Sequence, residues 1–248
     1  MYPNLLGFDD SSYLLFIVIG IIASLVVAFL YFKKIGYSKR EYIDLLICSL
    51  FAIAGGLVFA LLFENLYELI QDPSTYKFHF GFTFIGGLFG GVITFLLVYH
   101  LAIKKETKMS IKELLIMAPG AITIAHAFGR IGCFFAGCCY GVKTDSFIGI
   151  DFPDIGKRVP TQLIESIFLF ILCALLIYLA FKKHYKYSFV IYAISYSVFR
   201  FIIEFFRDDP RGGFIGPFSP SQIWCLIILI GVYPLILVIN RIFKNQDE

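Results

Sequence analysis

ELLIMAPGAITIAHAFGRIGCF, residues 113–134, decides how this chain is read. It is long enough and apolar enough to cross a bilayer, which takes about 20 residues. Yet it carries Pro119, Gly120, His126 and Arg130. A helix facing lipid has no use for a histidine and an arginine one turn apart. If this segment spans, it sits inside a bundle with its polar face turned away from lipid.

The rest of the sequence supports spanning. Of 248 residues, 59% are apolar and 16% charged, and the mean hydropathy is +0.82. Soluble domains lie nearer half apolar and a quarter charged. Six further apolar runs, at about 11–32, 43–63, 82–103, 161–181, 188–206 and 218–240, have the length of a crossing. The expectation is an all-α integral membrane protein of about seven transmembrane helices in one transmembrane domain, 1–248. The opening MYPNLLGFDD lacks a basic stretch ahead of the first run, so that run is expected to be retained.

Basic residues fix the expected orientation. Lys33, Lys34, Lys39 and Arg40 follow the first span; Lys104, Lys105, Lys108 and Lys112 follow the third. Lys182, Lys183 and Lys186 follow the fifth, and Arg241 and Lys244 the seventh. These are 13 of the 21 basic residues, all on one side. The positive-inside rule then puts the N-terminus outside and the C-terminus in the cytoplasm. The outer side is left with a Glu64–Phe82 loop, a 135–160 segment punctuated by Gly and Pro that reads as a cap, and the turn 207–213. A net charge of +3 gives no sign of nucleic-acid binding.

The polar residues within the spans gather toward that outer side. In RFIIEFFR, residues 200–207, Arg200, Glu204 and Arg207 share a helical stripe. Arginine's planar fork suits phosphate, and Glu204 would hold it in place or accept a proton. The plain alternative is an ion pair at a helix end with Arg207 reaching to the interface. His126 and Arg130 share a face; a packing histidine is the alternative for His126. In PTQLIES, residues 160–166, Pro160 suits a first helical turn. Gln162 and Glu165 point the same way, with capping as the alternative for Glu165. Three arginines at one depth suggest an anionic ligand, and at that depth the anion is a phospholipid head group. GGLFGG, residues 86–91, reads first as close helix packing; close approach of Gly86 and Gly87 to a lipid head group is the alternative.

Cys48, Cys173 and Cys225 lie in apolar runs and read as packing residues. Cys133, Cys138 and Cys139 form C-x4-C-C. The spacing lacks the second ligand pair usual for zinc, so no metal is expected. A disulfide from Cys133 to Cys138 or Cys139, or a reactive thiol near arginine, both stand open.

Together GRIGCFFAG (129–137), PTQLIES (160–166), RFIIEFFRDDP (200–210), GGLFGG and SPSQIW (219–224) resemble the prolipoprotein diacylglyceryl transferase family over nearly the whole chain. The resemblance implies an enzyme of the bacterial cytoplasmic membrane with its site facing outward. It would need no cofactor and would move the diacylglyceryl group of phosphatidylglycerol to the lipobox cysteine of a preprolipoprotein. Glycerol phosphate leaves and a thioether forms. Arg130 matches the signature arginine, Arg200 and Glu204 an Arg/Glu pair, Arg207 the next arginine, and Glu165 the glutamate after Pro-x-Gln. Tyr13 matches an N-terminal tyrosine. Ile85, Leu57, Cys133 and Cys138 stand where the family shows His, Arg, Asn and Glu. On this reading Arg130 and Arg200 clamp the phosphate with Arg207 at the rim. His126 is the candidate base, because imidazole titrates near neutrality, and Glu204 the second. Rival readings keep the lipid donor with another acceptor, make the chain a non-catalytic phospholipid-binding protein, or centre on thiol redox chemistry.

Overall fold

The structure is a computed structural model. It describes residues 11–71, 73–74, 76–78, 80–81, 83–153, 155–209 and 217–244. Among the described residues, seven helices are long and apolar enough to cross a membrane. They are α1 (Ser11–Lys34), α2 (Lys39–Gln71), α3 (Phe84–Val98), α4 (Ile111–Ala136), α5 (Thr161–Tyr178), α6 (Ser188–Ile203) and α7 (Pro220–Lys244). α3 and α5 each end in a wider π turn, to Ile103 and Lys183. Leu14, Ile22 and Leu30 of α1 are about half exposed. Such a continuous apolar surface belongs against lipid, not water. Of the seven, α4 is the most enclosed, as its proline, histidine and arginine require. Beside the helices, β1 (Ile150–Phe152) and β2 (Gly156–Arg158) pair antiparallel, so the 135–160 segment contains a small ribbon.

The helices fall into two compact units. The second, Phe32–Ser110, is an α2–α3 hairpin. α2 starts from a capping box in which the Ser38 N–H donates to Glu41 Oε2 at 2.8 Å. The hairpin closes through small residues. A Cβ on Gly86 would meet Phe59 O at 2.7 Å, and one on Gly56 would meet Gly87 O at 3.0 Å. The Gly86/Gly87 stretch is thus a helix-packing surface against α2, the first of its two sequence readings. The expected loop from Glu64 starts late: Glu64–Gln71 continues α2 past its apolar run, with Asn65 donating to Leu61 O.

The first unit holds α1 as far as Tyr31, α4–α7 and the ribbon. Gly20 lets α1 approach α4, where an added Cβ would lie 2.9 Å from Ala125 O. Gly120 does the same for α4 on α5, against Ile177. Ser166 donates across this seam to Ala127 O at 3.0 Å, and Phe168 stacks on Phe199 with ring centres 4.0 Å apart. This packing brings the end of α4, the start of α5, the end of α6 and the start of α7 together.

Candidate active site

The end of α4 is a Schellman turn. Gly137 takes φ +77°, its N–H bonds Phe134 O at 3.1 Å, and the Cys138 N–H bonds Cys133 O at 3.1 Å. About two and three turns back from Ala136, Arg130 and His126 sit on the inner face. Arg130 Nε lies 2.9 Å from Glu165 Oε1, an ion contact rather than an aligned hydrogen bond. Glu165, one turn into α5, is 2% exposed. It caps nothing: α5 starts with the Leu163 and Ile164 amides on Pro160 O, and Glu165 turns inward to the arginine.

α6 supplies two groups not singled out from the sequence. The Tyr196 hydroxyl donates to Glu165 Oε1 at 2.8 Å. Tyr192 and Tyr196 each place a hydroxyl 3.4 Å from a ring nitrogen of His126. His126 Nε2 is 3.9 Å from Glu165 Oε1. The histidine is therefore part of the cluster, held between two tyrosines and a carboxylate. Its signal in the sequence is the Tyr192, Tyr196, Arg200 series, four residues apart.

Arg200 is buried at the end of α6, with Nη2 2.8 Å from Glu204 Oε2 and 3.2 Å from Ser221 Oγ at the start of α7. Its Nη1 is buried with no hydrogen-bond partner among the described residues. A buried N–H without an acceptor is costly.

Arg207 departs from the expected stripe. α6 ends at Ile203, residues 204–206 tighten to a 3-10 turn, and Arg207 is extended at φ −91°, ψ 145°. Its Nε stays 4.0 Å from Glu204 Oε2, but its fork grips Asp209 in two bonds of 2.9 and 2.6 Å. That guanidinium is not an open phosphate clamp. Burial works against its charge, yet the Asp209 bonds and the Cys139 thiol beside it raise its pKa above the ordinary arginine value.

Gln162 is likewise committed elsewhere: its Nε2 donates to Cys138 O, and Thr161 Oγ1 to Cys139 O at 2.7 Å. The chain then runs into a short ladder. The Gly141 N–H bonds Val159 O and the Val142 N–H bonds Phe206 O, at 2.8 and 2.9 Å. Arg158 pairs with Asp208 below it. Tyr13 of α1 packs on Gly132, where an added Cβ would lie 3.2 Å from its ring, near Arg130 and the cysteines.

All six cysteines are free thiols, so of the two open readings the Cys133 disulfide is not formed. Cys48, Cys173 and Cys225 are buried, as packing residues should be. The Cys133, Cys138 and Cys139 sulfurs instead gather within 4.8 Å of one another. Hydrogen bonds from the Cys133 and Cys138 thiols, with the charges of Arg207 and Arg130, hold Cys139 well below the ordinary thiol pKa.

The site thus sets Arg130, Arg200 and Arg207 against Glu165, Glu204 and Asp209, with His126 and two tyrosines between. Residues 4–238 match the family model described as prolipoprotein diacylglyceryl transferase. A phosphatidylglycerol–prolipoprotein diacylglyceryl transferase 2 of Clostridium perfringens is 34% identical over 99% of this chain and 96% of its own length. Phosphatidylglycerol–prolipoprotein diacylglyceryl transferases of Clostridium tetani and Finegoldia magna are 34% and 31% identical, over 93% and 99% of this chain and 94% and 98% of their own. By this match over almost its full length, the chain belongs to the prolipoprotein diacylglyceryl transferase family.

Proposed function

We propose that this protein transfers the diacylglyceryl group of phosphatidylglycerol to the lipobox cysteine thiol of a preprolipoprotein, from a site on the outer side of the bacterial cytoplasmic membrane. The observation that carries the reading is Arg200 Nη1, a buried cationic donor with no acceptor among the described residues. A phosphate oxygen supplies that acceptor.

The thiol sulfur attacks the glycerol carbon that bears the phosphate ester. The carbon–sulfur bond forms as the carbon–oxygen bond breaks, and glycerol phosphate leaves with the electron pair. Arg200, held by Glu204, faces the charge that grows on the leaving oxygen; Arg130, held by Glu165, takes a second phosphate oxygen. Each such positioned donor is worth about 3 kcal/mol in the transition state, roughly a hundredfold in rate. The thiol proton goes to His126, which the Tyr192 and Tyr196 hydroxyls orient. Arg207 acts by fixing the turn through Asp209. The N-terminus lies outside, by the distribution of basic residues, and the ribbon of residues 150–158 belongs to an extracytoplasmic cap.

Purified protein, labelled phosphatidylglycerol and a lipobox peptide test this, with both lipid and peptide products analysed. The expected result is a thioether-modified peptide and one glycerol phosphate per turnover. Lipid bound but never cleaved would refute it in favour of a phospholipid-binding protein. Cleavage without modified peptide would refute the thiol acceptor. His126→Gln is expected to slow transfer and flatten its pH dependence; an unchanged profile would remove His126 from proton transfer.

A further inference from the structure

The three thiols at the end of α4 have no part in this chemistry, and the local fold gathers them. Cys133 and Cys138 occupy the two positions that touch across a Schellman turn, a contact usually made by apolar side chains. Here both are thiols, with Cys138 Sγ 3.6 Å from Cys133 O. Cys139 follows in a left-handed conformation, φ +63°, so its side chain turns back toward the other two. The first turn of α5 fixes this arrangement, since Gln162 and Thr161 hold the Cys138 and Cys139 carbonyls. The result is three sulfurs within 4.8 Å of one another. Zinc–thiolate bonds of about 2.3 Å at tetrahedral angles require sulfurs about 3.8 Å apart. Closing on an ion therefore takes a side-chain adjustment, not a refolded loop.

Burial is graded across the trio. Cys133 is buried, Cys139 intermediate and Cys138 exposed, so an ion has a floor and an entrance. The donor set is all sulfur, which selects soft cations over magnesium or calcium. We propose that Cys133, Cys138 and Cys139 form a three-thiolate site for a soft divalent cation such as Zn2+ or Cd2+, with water in the open fourth position. The three sulfurs bind as thiolates, the protons they still carry go to solvent, and the site is left with a net charge of −1. Arg130 and Arg207 are both near enough to act on Cys139 electrostatically. The site is independent of the transferase reading, because its ligands lie outside the residues assigned to phosphate and proton transfer.

Cadmium titration of the full-length protein in detergent tests it without lipid or peptide. The protein is reduced with a phosphine, freed of reductant under nitrogen, and shown to carry six reactive thiols after denaturation. Cd2+ is then added while the ultraviolet sulfur-to-cadmium charge-transfer band is read. The expected result is a linear rise that breaks at one ion per chain and is abolished by competing Zn2+. A Cys138→Ser/Cys139→Ser variant should lose the band. A Cys48→Ala/Cys173→Ala/Cys225→Ala variant, which keeps only the cluster, should retain it in full. A fully reduced wild-type chain with no band, or with a rise that never saturates, overturns the proposal. So does a band that survives in the Cys138→Ser/Cys139→Ser variant.

Discussion

Replacing Arg200 separates its structural role from its proposed chemical one. Arg200→Ala removes the guanidinium 2.8 Å from Glu204, whose side chain is 2% exposed. Breaking a buried ion pair by removing one partner costs about 3–5 kcal/mol, because the other charge is stranded. Arg207 Nε, 4.0 Å from the same carboxylate oxygen, keeps the expected cost near the lower end, about 3 kcal/mol. Loss of activity in that variant would therefore not distinguish a missing clamp from a loosened bundle. Arg200→Gln/Glu204→Gln removes both charges and preserves a hydrogen bond across one helical turn. Its expected stability is within about 1 kcal/mol of the parent, since no charge is stranded, while its transfer rate falls by roughly a hundredfold or more. Thermal unfolding in detergent and transfer of labelled diacylglyceryl to a lipobox peptide read the two effects. Parental turnover in the double variant would refute the clamp. Glu204→Gln alone leaves the guanidinium in place and is expected to stay well above the double variant; an equally deep loss would shift the essential role to Glu204.

Tyr196→Phe removes the hydroxyl that donates to Glu165 at 2.8 Å. A hydrogen bond to a charged group is worth about 1.5–3 kcal/mol; kcat/KM should drop at least about tenfold, and a wild-type value would show that the bond does not serve transfer. Gly141→Ala puts a Cβ 2.6 Å from Phe206 O and 2.8 Å from Val159 O. Both are backbone atoms, so overpacking should cost about 1–3 kcal/mol in thermal unfolding and shift the Arg207 turn. In the second unit, Gly90→Ala puts a Cβ 2.2 Å from Phe59 Cβ, whereas Gly231→Ala in α7 meets nothing within 4 Å. The former should destabilise by a similar amount. The latter should be neutral or stabilise by up to about 1 kcal/mol through helix propensity; equal melting shifts would contradict the packing of α3 on α2.

Spanning segments were legible because lipid leaves a long apolar signal that no local competition erases. The enclosure of α4 followed from Pro119, Gly120, His126 and Arg130. Helix ends were harder to read, and α2 shows why: Glu64, Asn65 and Glu68 end the apolar run but favour no break in the helix. The Arg200–Glu204 pair was readable from i,i+4 spacing. Arg207 was misplaced because that spacing assumes the helix continues, and the turn at 204–206 with Asp209 as partner depends on the tertiary ladder through Gly141 and Val142. Glu165 read equally well as a cap because nothing local says which way it points; Arg130, 35 positions earlier, decides it. The thiol trio was hidden for a different reason. C-x4-C-C lacks the second ligand pair usual for zinc, and nothing local shows that Gly137 bends the chain so that Cys133 and Cys138 meet. Tyr192 and Tyr196 carry a visible four-residue period, but tyrosine is common in apolar spans, so the period alone does not mark a site.

The pairing of each site arginine with its own carboxylate bears on how a turnover ends. Arg130, Arg200 and Arg207 against Glu165, Glu204 and Asp209 leave the charges of the site balanced. On the proposed reading, glycerol phosphate departs from a neutral pocket with two carboxylates ready to reclaim their arginines. Product inhibition should accordingly be weak, and moderate salt should slow the enzyme little, unlike a site built from uncompensated cations.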